Sequence, residues 1–388
     1  MYLCPVNNEK KKKAVNISRA LALILLPLVS LCYVAWHVWV LLPCSAAWRS
    51  LVLAFGIGSL LLLFFDVSGR LDALPLPLAR ALYNIGTSAP IVLLYLVLLF
   101  LVLDLGRLCR IVPHEWLYAN GRSAIAIAAV LAGTFLYGYV HYRHKVRVPL
   151  EIRTAKPLAR PLRVLMASDL HLGYHNDRRE LARWVDMMNA ERPDLILIAG
   201  DIIDISVRPL IEENMAAEFR RLQAPVYACL GNHEYYSGCP QARQFYRDAG
   251  IRLLSDEAVE VDSSLVVIGR DDRTNRRRKS LATLMSAAKV LPPMGESRGA
   301  FVFLLDHQPY DLGEAEREGI DFQFSGHTHR GQVWPLSWVT DRMYECSWGS
   351  HRRGRTQYYV SSGLGIWGGR YRIGTQSEYV MATVTGAQ

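Results

Sequence analysis

Seven side chains able to offer oxygen or nitrogen to a cation recur in five short polar clusters of the second half of the chain. They are Asp169 and His171 in SDLHLG, Asp201 in GDIID, Asn232 in GNHE, His307 in DHQP, and His327 and His329 in FSGHTHRGQ. Carboxylate, amide and imidazole donors suit manganese, iron or zinc, and none of the seven cysteines stands among them. Seven donors are too many for one ion and right for two ions a few ångströms apart, with Asp201 shared between them. Taken singly each has a plain alternative: Asp169 as a helix N-cap, Asp201 and Asp204 as turn residues, Asn232 as a turn residue after Gly231, His307 as a core histidine. Taken together they would need five separate coincidences at one kind of position.

That position is the end of a short apolar run. Residues 163–167 (RVLMA), 195–199 (LILIA), 226–230 (VYACL), 301–305 (FVFLL) and 322–324 (FQF) each run directly into one of the clusters. Between the first two, Leu181, Trp184, Val185 and Met188 recur at helical spacing over Glu180 to Asn189. Strand, loop, helix, strand is the rhythm of a layered α/β fold, whose sites form beyond the carboxyl ends of the strands.

The order D-x-H, G-D-x-x-D, G-N-H-E, lone His, G-H-x-H resembles the calcineurin-like metallophosphoesterase family, from about Arg163 to the end of the chain. The resemblance implies a four-layer α/β/β/α sandwich with two divalent metal ions. By motif, Asp169, His171, Asp201 and His329 would hold one ion, and Asp201, Asn232, His307 and His327 the other. His233 would protonate the leaving oxygen or stabilise charge on the phosphoryl group. Asp204 and Glu234 are expected to orient ligands from behind, and Gly326 and Gly331 to give the histidine turn room. Arg330 stays open between a phosphate ligand and a solvated side chain.

The tail, VSSGLGIWGGRYRIGTQSEYV (360–380), is similar to the membrane-linked bacterial phosphodiesterase branch of the family, which includes hydrolysis of a UDP-diacylglucosamine. Its glycines 363, 365, 368 and 369 would let a loop pass close to the metals, and Arg370 or Arg372 could clamp a phosphate. The alternative is a final hairpin with solvated arginines.

The first half has another texture. Of the 388 residues 51% are apolar, and the excess lies before residue 142. Four apolar stretches, about Ala20–Leu42, Leu51–Phe65, Ala89–Leu108 and Ser123–Val140, predict an all-α region of about four membrane helices; the second is short unless it extends back through Ala46–Trp48. The expected division is therefore a transmembrane region, 1–148, and a catalytic domain, 149–388. Asp104 and His37 are the polar oddities in the spans, and pairing with Arg107 accounts for Asp104. Trp36, Trp39, Trp48 and Trp116 read as interfacial anchors.

Thirteen Lys and Arg flank the N-terminal side of the topology (Lys10–Lys13, Arg19, Arg70, Arg80, and Arg143 to Arg160) against four on the other (Arg49, Arg107, Arg110, Arg122). That bias predicts a multi-pass inner-membrane protein with its catalytic domain in the cytoplasm, where an odd cysteine count without C-x-x-C also fits. The net charge of +9 points to anionic lipid, since the basic run DDRTNRRRK carries no interleaved aromatics for nucleic acid to stack on. The expected substrate is a phosphodiester or pyrophosphate on a lipid or nucleotide-lipid. A tethered generic or nucleotide phosphodiesterase is the alternative within the class, and a transport or assembly protein with a vestigial domain the alternative outside it. The oligomeric state stays open.

Overall fold

The computed structural model describes residues 25–158, 160–287 and 299–387. The basic residues Lys10–Lys13 and Arg19, Cys4 and the start of the first apolar stretch lie outside them. The chain divides into two compact units, one formed by Met1–Phe64 with Ile85–Thr134, the other by Phe65–Asn84 with Phe135–Gln388.

Among the described residues of the apolar half there are four α-helices: α1 (Leu25–Leu41), α2 (Ala46–Val67), α3 (Leu76–Leu108) and α4 (Gly121–Arg143). Ala46–Phe65, Leu76–Leu108 and Gly121–Arg143 are long and apolar enough to cross a membrane, whereas Leu25–Leu41 is a shorter apolar helix that begins where the described residues begin. α2 does extend back to Ala46. α3 starts thirteen residues before the expected Ala89, with Pro90 inside it. Arg80, Asn84, Thr87 and Ser88 interrupt the apolar run there, so hydropathy alone registers only the later part.

Within the first unit, Val34, Leu41, Phe100 and Leu117 form a small buried cluster. Asp104 lies 3.3 Å from the Arg107 guanidinium; its other oxygen accepts from Tyr33 Oη at 2.7 Å and sits 3.0 Å from His37 Nε2. The two polar oddities of the spans are thus partners of each other. Trp36, Trp39, Trp48 and Trp116 are all exposed.

Among its described residues the second unit holds twelve strands: β1 (Lys145–Pro157), β2 (Leu162–Ala167), β3 (Leu195–Ala199), β4 (Val226–Cys229), β5 (Arg252–Leu253), β6 (Glu257–Asp262), β7 (Leu265–Gly269), β8 (Phe301–Leu305), β9 (Phe322–Ser325), β10 (Gly349–Arg353), β11 (Thr356–Val360) and β12 (Ser377–Ala387). They form two six-stranded sheets, ordered β1-β12-β2-β3-β4-β5 and β10-β11-β9-β8-β7-β6.

Side chains alternate across each strand, and here both faces are apolar. Val164, Met166, Leu195 and Leu197 of the first sheet meet Val267, Phe303, Leu305 and Phe324 of the second in one core. On the outer face of the first sheet, Leu165, Ile196 and Ile198 pack with Trp184 and Met188 of helix α5 (Arg178–Ala190). On the outer face of the second, Val266, Ile268, Val302 and Leu304 pack with Leu281, Leu284 and Leu312 from helices. The result is the four-layer α/β/β/α sandwich. α5 buries the four residues whose spacing predicts it, and Asp177 caps it by accepting from Glu180 N at 3.0 Å.

β2, β3 and β4 are mutually parallel, as are β8 and β9, so all five polar clusters emerge at carboxyl strand ends. The tail is not a hairpin. From β11 it crosses to the other sheet, where β12 lies parallel to β1 and antiparallel to β2.

Candidate metal centre

The five loops bring their donors to one place. Asp169, His171 and His329 form one buried group, Asp201, His307 and His327 a second, and within each the donor atoms lie within 4.8 Å of one another. The His171 and His329 Nε2 atoms face each other at 3.1 Å, with Asp169 Oδ1 3.5 Å from His329 Nε2. Asp201 Oδ2 stands 3.7 Å from His171 Nε2 and 3.1 Å from His307 Nε2, between the two groups. One carboxylate oxygen is therefore placed to serve both.

Holding the donors this way strains the backbone. Asp169, His171, Asp201, His327 and His329 all have φ between 45° and 70°, a region that costs a non-glycine residue on the order of 1–3 kcal/mol. Five such residues at one site are held by the surrounding fold. Close approach is needed as well: a Cβ on Gly326 would fall 2.2 Å from Asp169 Oδ2. The tail loop passes equally near. Leu364 N and Gly365 N donate to Ser168 O and Asp169 O, both at 2.9 Å, and a Cβ on Gly363 would lie 2.9 Å from Asp169 Cβ.

The polar groups behind the donors fix their tautomers. His307 Nδ1 lies 2.7 Å from the carbonyl of Ala199, an acceptor only, so Nδ1 carries a proton and Nε2 is the nitrogen turned to the centre. Asp204 Oδ1 stands 3.3 Å from His171 Nδ1 and 3.1 Å from His233 Nδ1. Burial works to raise the Asp204 carboxyl, but the hydrogen bonds from His171 and His233 outweigh it and hold it well below the usual carboxylate range. Glu234 accepts from the backbone N–H groups of Gly231, Asp201 and Ile203 at 2.7–3.1 Å, tying the GNHE and GDIID loops together. Burial pushes His327 down to about 4 and holds His329 well below its ordinary value, so both rings are neutral and able to ligate.

The donor set fits a cation. Asn232 Oδ1 is buried and has no hydrogen-bond partner among the described residues, and an unmet lone pair of this kind is costly unless something positive faces it. Among the described residues no cysteine joins the donor groups, and Cys229 ends β4 on the core side.

The family model of the calcineurin-like phosphoesterases matches residues 162–331, which contain every one of these donors. A metallophosphoesterase from Aquifex aeolicus is 31% identical over 264 residues, 66% of this chain and 98% of that protein. The chain is a calcineurin-like metallophosphoesterase. A transmembrane protein with a metallophosphoesterase domain from Danio rerio is 30% identical over 354 residues, 85% of this phosphoesterase and 79% of its own length, so that match reaches into the apolar half. The 5'-nucleotidase precursor of Thermus thermophilus superposes with a TM-score of 0.34 at 14% identity, over 58% of this chain and 55% of that one. As a member of the family the metallophosphoesterase is a metal-dependent hydrolase of phosphoric esters, and its family works through a dimetal centre.

The arginines fall differently from one another. Arg372 is fully buried and its guanidinium donates to the carbonyls of His329 (2.7 Å), Ser362 and Gly365, bracing the loop. Arg370 is half-buried, with Nη1 3.3 Å from the carbonyl of His175. Arg330 is half-buried and lies over the Trp348 ring at 3.9 Å. In the basic run DDRTNRRRK, Arg278 pairs with Asp306 at 3.0 Å while Arg276 and Arg277 are exposed; in the basic stretch His351–Arg355, Arg353 bonds Glu316 and Glu345.

Sequence reasoning missed two residues here. Tyr83, buried in α3, donates to Asp204 Oδ2 at 2.5 Å and stacks on His175, ring centroids 5.3 Å apart. His175, whose imidazole burial pushes down to about 4, places Nε2 2.7 Å from the carbonyl of Ile366. Tyr83 lies before the Ala89–Leu108 stretch and nothing in the sequence marks it, but His175 stands only four residues beyond His171. Removing the Tyr83 hydroxyl with Tyr83→Phe frees one oxygen of the carboxylate that holds two histidines. Turnover is expected to fall by about tenfold with metal content kept, at the low end of the 10–100-fold typical of such supporting groups; kcat, KM and metal stoichiometry measured together check it.

Proposed function

We propose that this metallophosphoesterase is a multi-pass inner-membrane enzyme whose cytoplasmic catalytic domain, 149–388, hydrolyses a phosphodiester or pyrophosphate linkage on a lipid or nucleotide-lipid of the UDP-diacylglucosamine type. Asp169, His171, Asp201 and His329 would hold one divalent ion and Asp201, Asn232, His307 and His327 the other. The oxygen and nitrogen donor set favours manganese, iron or zinc. When bound, such a pair supplies a water acidic enough to ionise near neutral pH and positive charge for the phosphoryl oxygens. Among the chain's own groups, Asp204 holds His171 and His233 through their Nδ1 atoms. His233 then presents Nε2 to the departing oxygen as a proton donor.

The observation that carries the lipid reading is Tyr83. A residue of α3, a helix long enough to span a membrane, donates to Asp204 in the metal centre, so a membrane helix begins at the site itself. The basic residues gathered on one side of the spans support the cytoplasmic placement.

Comparing lipid-phosphate and UDP-lipid pools in cells with and without the protein, and then offering the accumulating species to the purified enzyme, tests the substrate. Unchanged lipid pools with full turnover of a soluble diester would leave the tethered generic phosphodiesterase. Cysteine labelling that places the C-terminus outside the cytoplasm would overturn the topology. Dialysis against a chelator is expected to remove activity and added manganese to restore it, followed by turnover and by elemental analysis of the protein.

A further inference from the structure

The Leu336–Met343 helix follows the His327–His329 turn and presents a face that nothing among the described residues covers. Ser337 is buried beneath it, whereas Leu336, Trp338, Val339 and Met343 are 40, 65, 52 and 60% exposed. Trp367, 41% exposed with its ring 6.5 Å from that of His233, adds apolar surface at the rim of the metal centre. Leaving such side chains in water forgoes about 1.5–3 kcal/mol each, and contiguous patches of this kind mark a contact with a partner or a bilayer.

The surroundings of the helix say which. At its base, Trp334 N donates to Ile373 O at 2.7 Å. Ile373 and its neighbours lie directly on α4: Arg372 N donates to Gly138 O at 3.0 Å, a Cβ on Gly138 would meet Ile373 Cγ1 at 2.8 Å, and the Phe135 and Tyr371 rings stand 4.8 Å apart. α4 is a candidate membrane span, and this stretch near its end carries Tyr137 and Tyr139 followed by Arg143. Aromatic rings succeeded by basic residues mark the boundary between hydrocarbon and water. The uncovered helix is thus one loop away from a spanning helix at headgroup depth. Its own make-up, tryptophan and aliphatic residues with an exposed Arg342, is that of a helix lying in the interface plane.

We propose that the Leu336–Met343 helix lies in the headgroup boundary of the membrane that α4 crosses, with Trp338, Val339 and Met343 inserted, and so holds the histidine turn and the Trp367 rim at the bilayer surface. The centre then opens onto phosphoesters presented in the lipid layer. The insertion itself does not depend on which ester is hydrolysed, so its test stands apart from that of the substrate.

The test places the photoreactive residue p-benzoylphenylalanine at position 338 or 343 of the full chain, reconstituted in vesicles of phosphatidylethanolamine and phosphatidylglycerol with a radiolabelled tracer. The control position is Glu318, which lines a cavity with Arg153 and Lys156 toward the far end of β1. At about 3.3 Å per residue that end lies tens of ångströms from Lys145, where β1 leaves α4. Lipid adducts at 338 and 343 are expected at about fivefold or more over the control. Lipid labelling no greater than at 318, or adducts to a second copy of the chain, overturns the proposal. Turnover of soluble bis(p-nitrophenyl) phosphate at the parent rate verifies that each labelled protein is folded. Trp338→Phe supplies a readout free of the unnatural residue: quenching of tryptophan emission by brominated lipid should drop, and unchanged quenching counts against insertion.

Discussion

Asp201→Ala is expected to abolish hydrolysis of a chromogenic phosphodiester and to strip metal from the protein. No other side chain at the centre does so much. Its Oδ2 is the oxygen that stands between His171 and His307, and its Oδ1 accepts from His233 N at 2.9 Å. Truncation to alanine therefore removes the carboxylate that stands between both donor groups and is proposed as their shared ligand, and unties the backbone of the residue expected to handle the leaving oxygen. The loss should be at least about 10²–10³-fold, the effect of deleting one group that stabilises transition-state charge, and larger if both ions leave. Elemental analysis separates this from misfolding when it is paired with a thermal melt. Alanine at φ 51° is no less strained than aspartate and the bond to His233 N is lost, so the melt is expected to fall and must be read beside the metal content. Undiminished turnover in this variant would sink the dimetal assignment.

The sequence was most legible where periodicity and chemistry coincide. Each of the five donor loops follows a strand that the apolar runs locate, and β3 and β8 agree to the residue. This works because a parallel strand buried on both faces is a short unbroken apolar run, bounded by the loop that must carry polar groups. β1 was obscured by the opposite circumstance. Its Val146, Val148, Leu150 and Ile152 alternate with Arg147, Glu151 and Arg153, a half-buried strand pattern, yet the basic residues beside a membrane helix are equally well read as a topology signal. β12 was hidden because its place is set by a partner more than two hundred residues away, Lys145 pairing with Ser377. Tyr83 belongs to the same kind. A tyrosine near the start of an apolar helix carries no local mark of the carboxylate it meets 121 residues later. Arg372 shows the converse: a glycine-rich loop made it look like a phosphate clamp, while burial turned its donors toward main-chain carbonyls.

His233→Ala is expected to keep the metal and to lower turnover in a manner that depends on the leaving group. The His233 Nδ1 is 3.1 Å from Asp204 Oδ1, which leaves Nε2 as the nitrogen free to meet a substrate. Its ring is packed edge-on against His171 at 4.5 Å and against Tyr236 at 5.2 Å, so its orientation is set before substrate arrives. A proton donor in this position matters most when the departing oxygen is a poor leaving group. An alkyl diester should therefore lose about 10²–10⁴-fold in kcat, the usual worth of general acid catalysis, whereas a p-nitrophenyl ester, whose oxyanion is already stable, should lose far less. Equal losses on both substrates would make His233 a stabiliser of phosphoryl charge instead. Loss of metal would assign it a third role, and the geometry makes that outcome a real test: His233 forms a buried group of its own with His171 and Asp201, donor atoms within 4.8 Å. Metal content and the ratio of the two rates, read on one preparation, decide among acid, charge stabiliser and ligand.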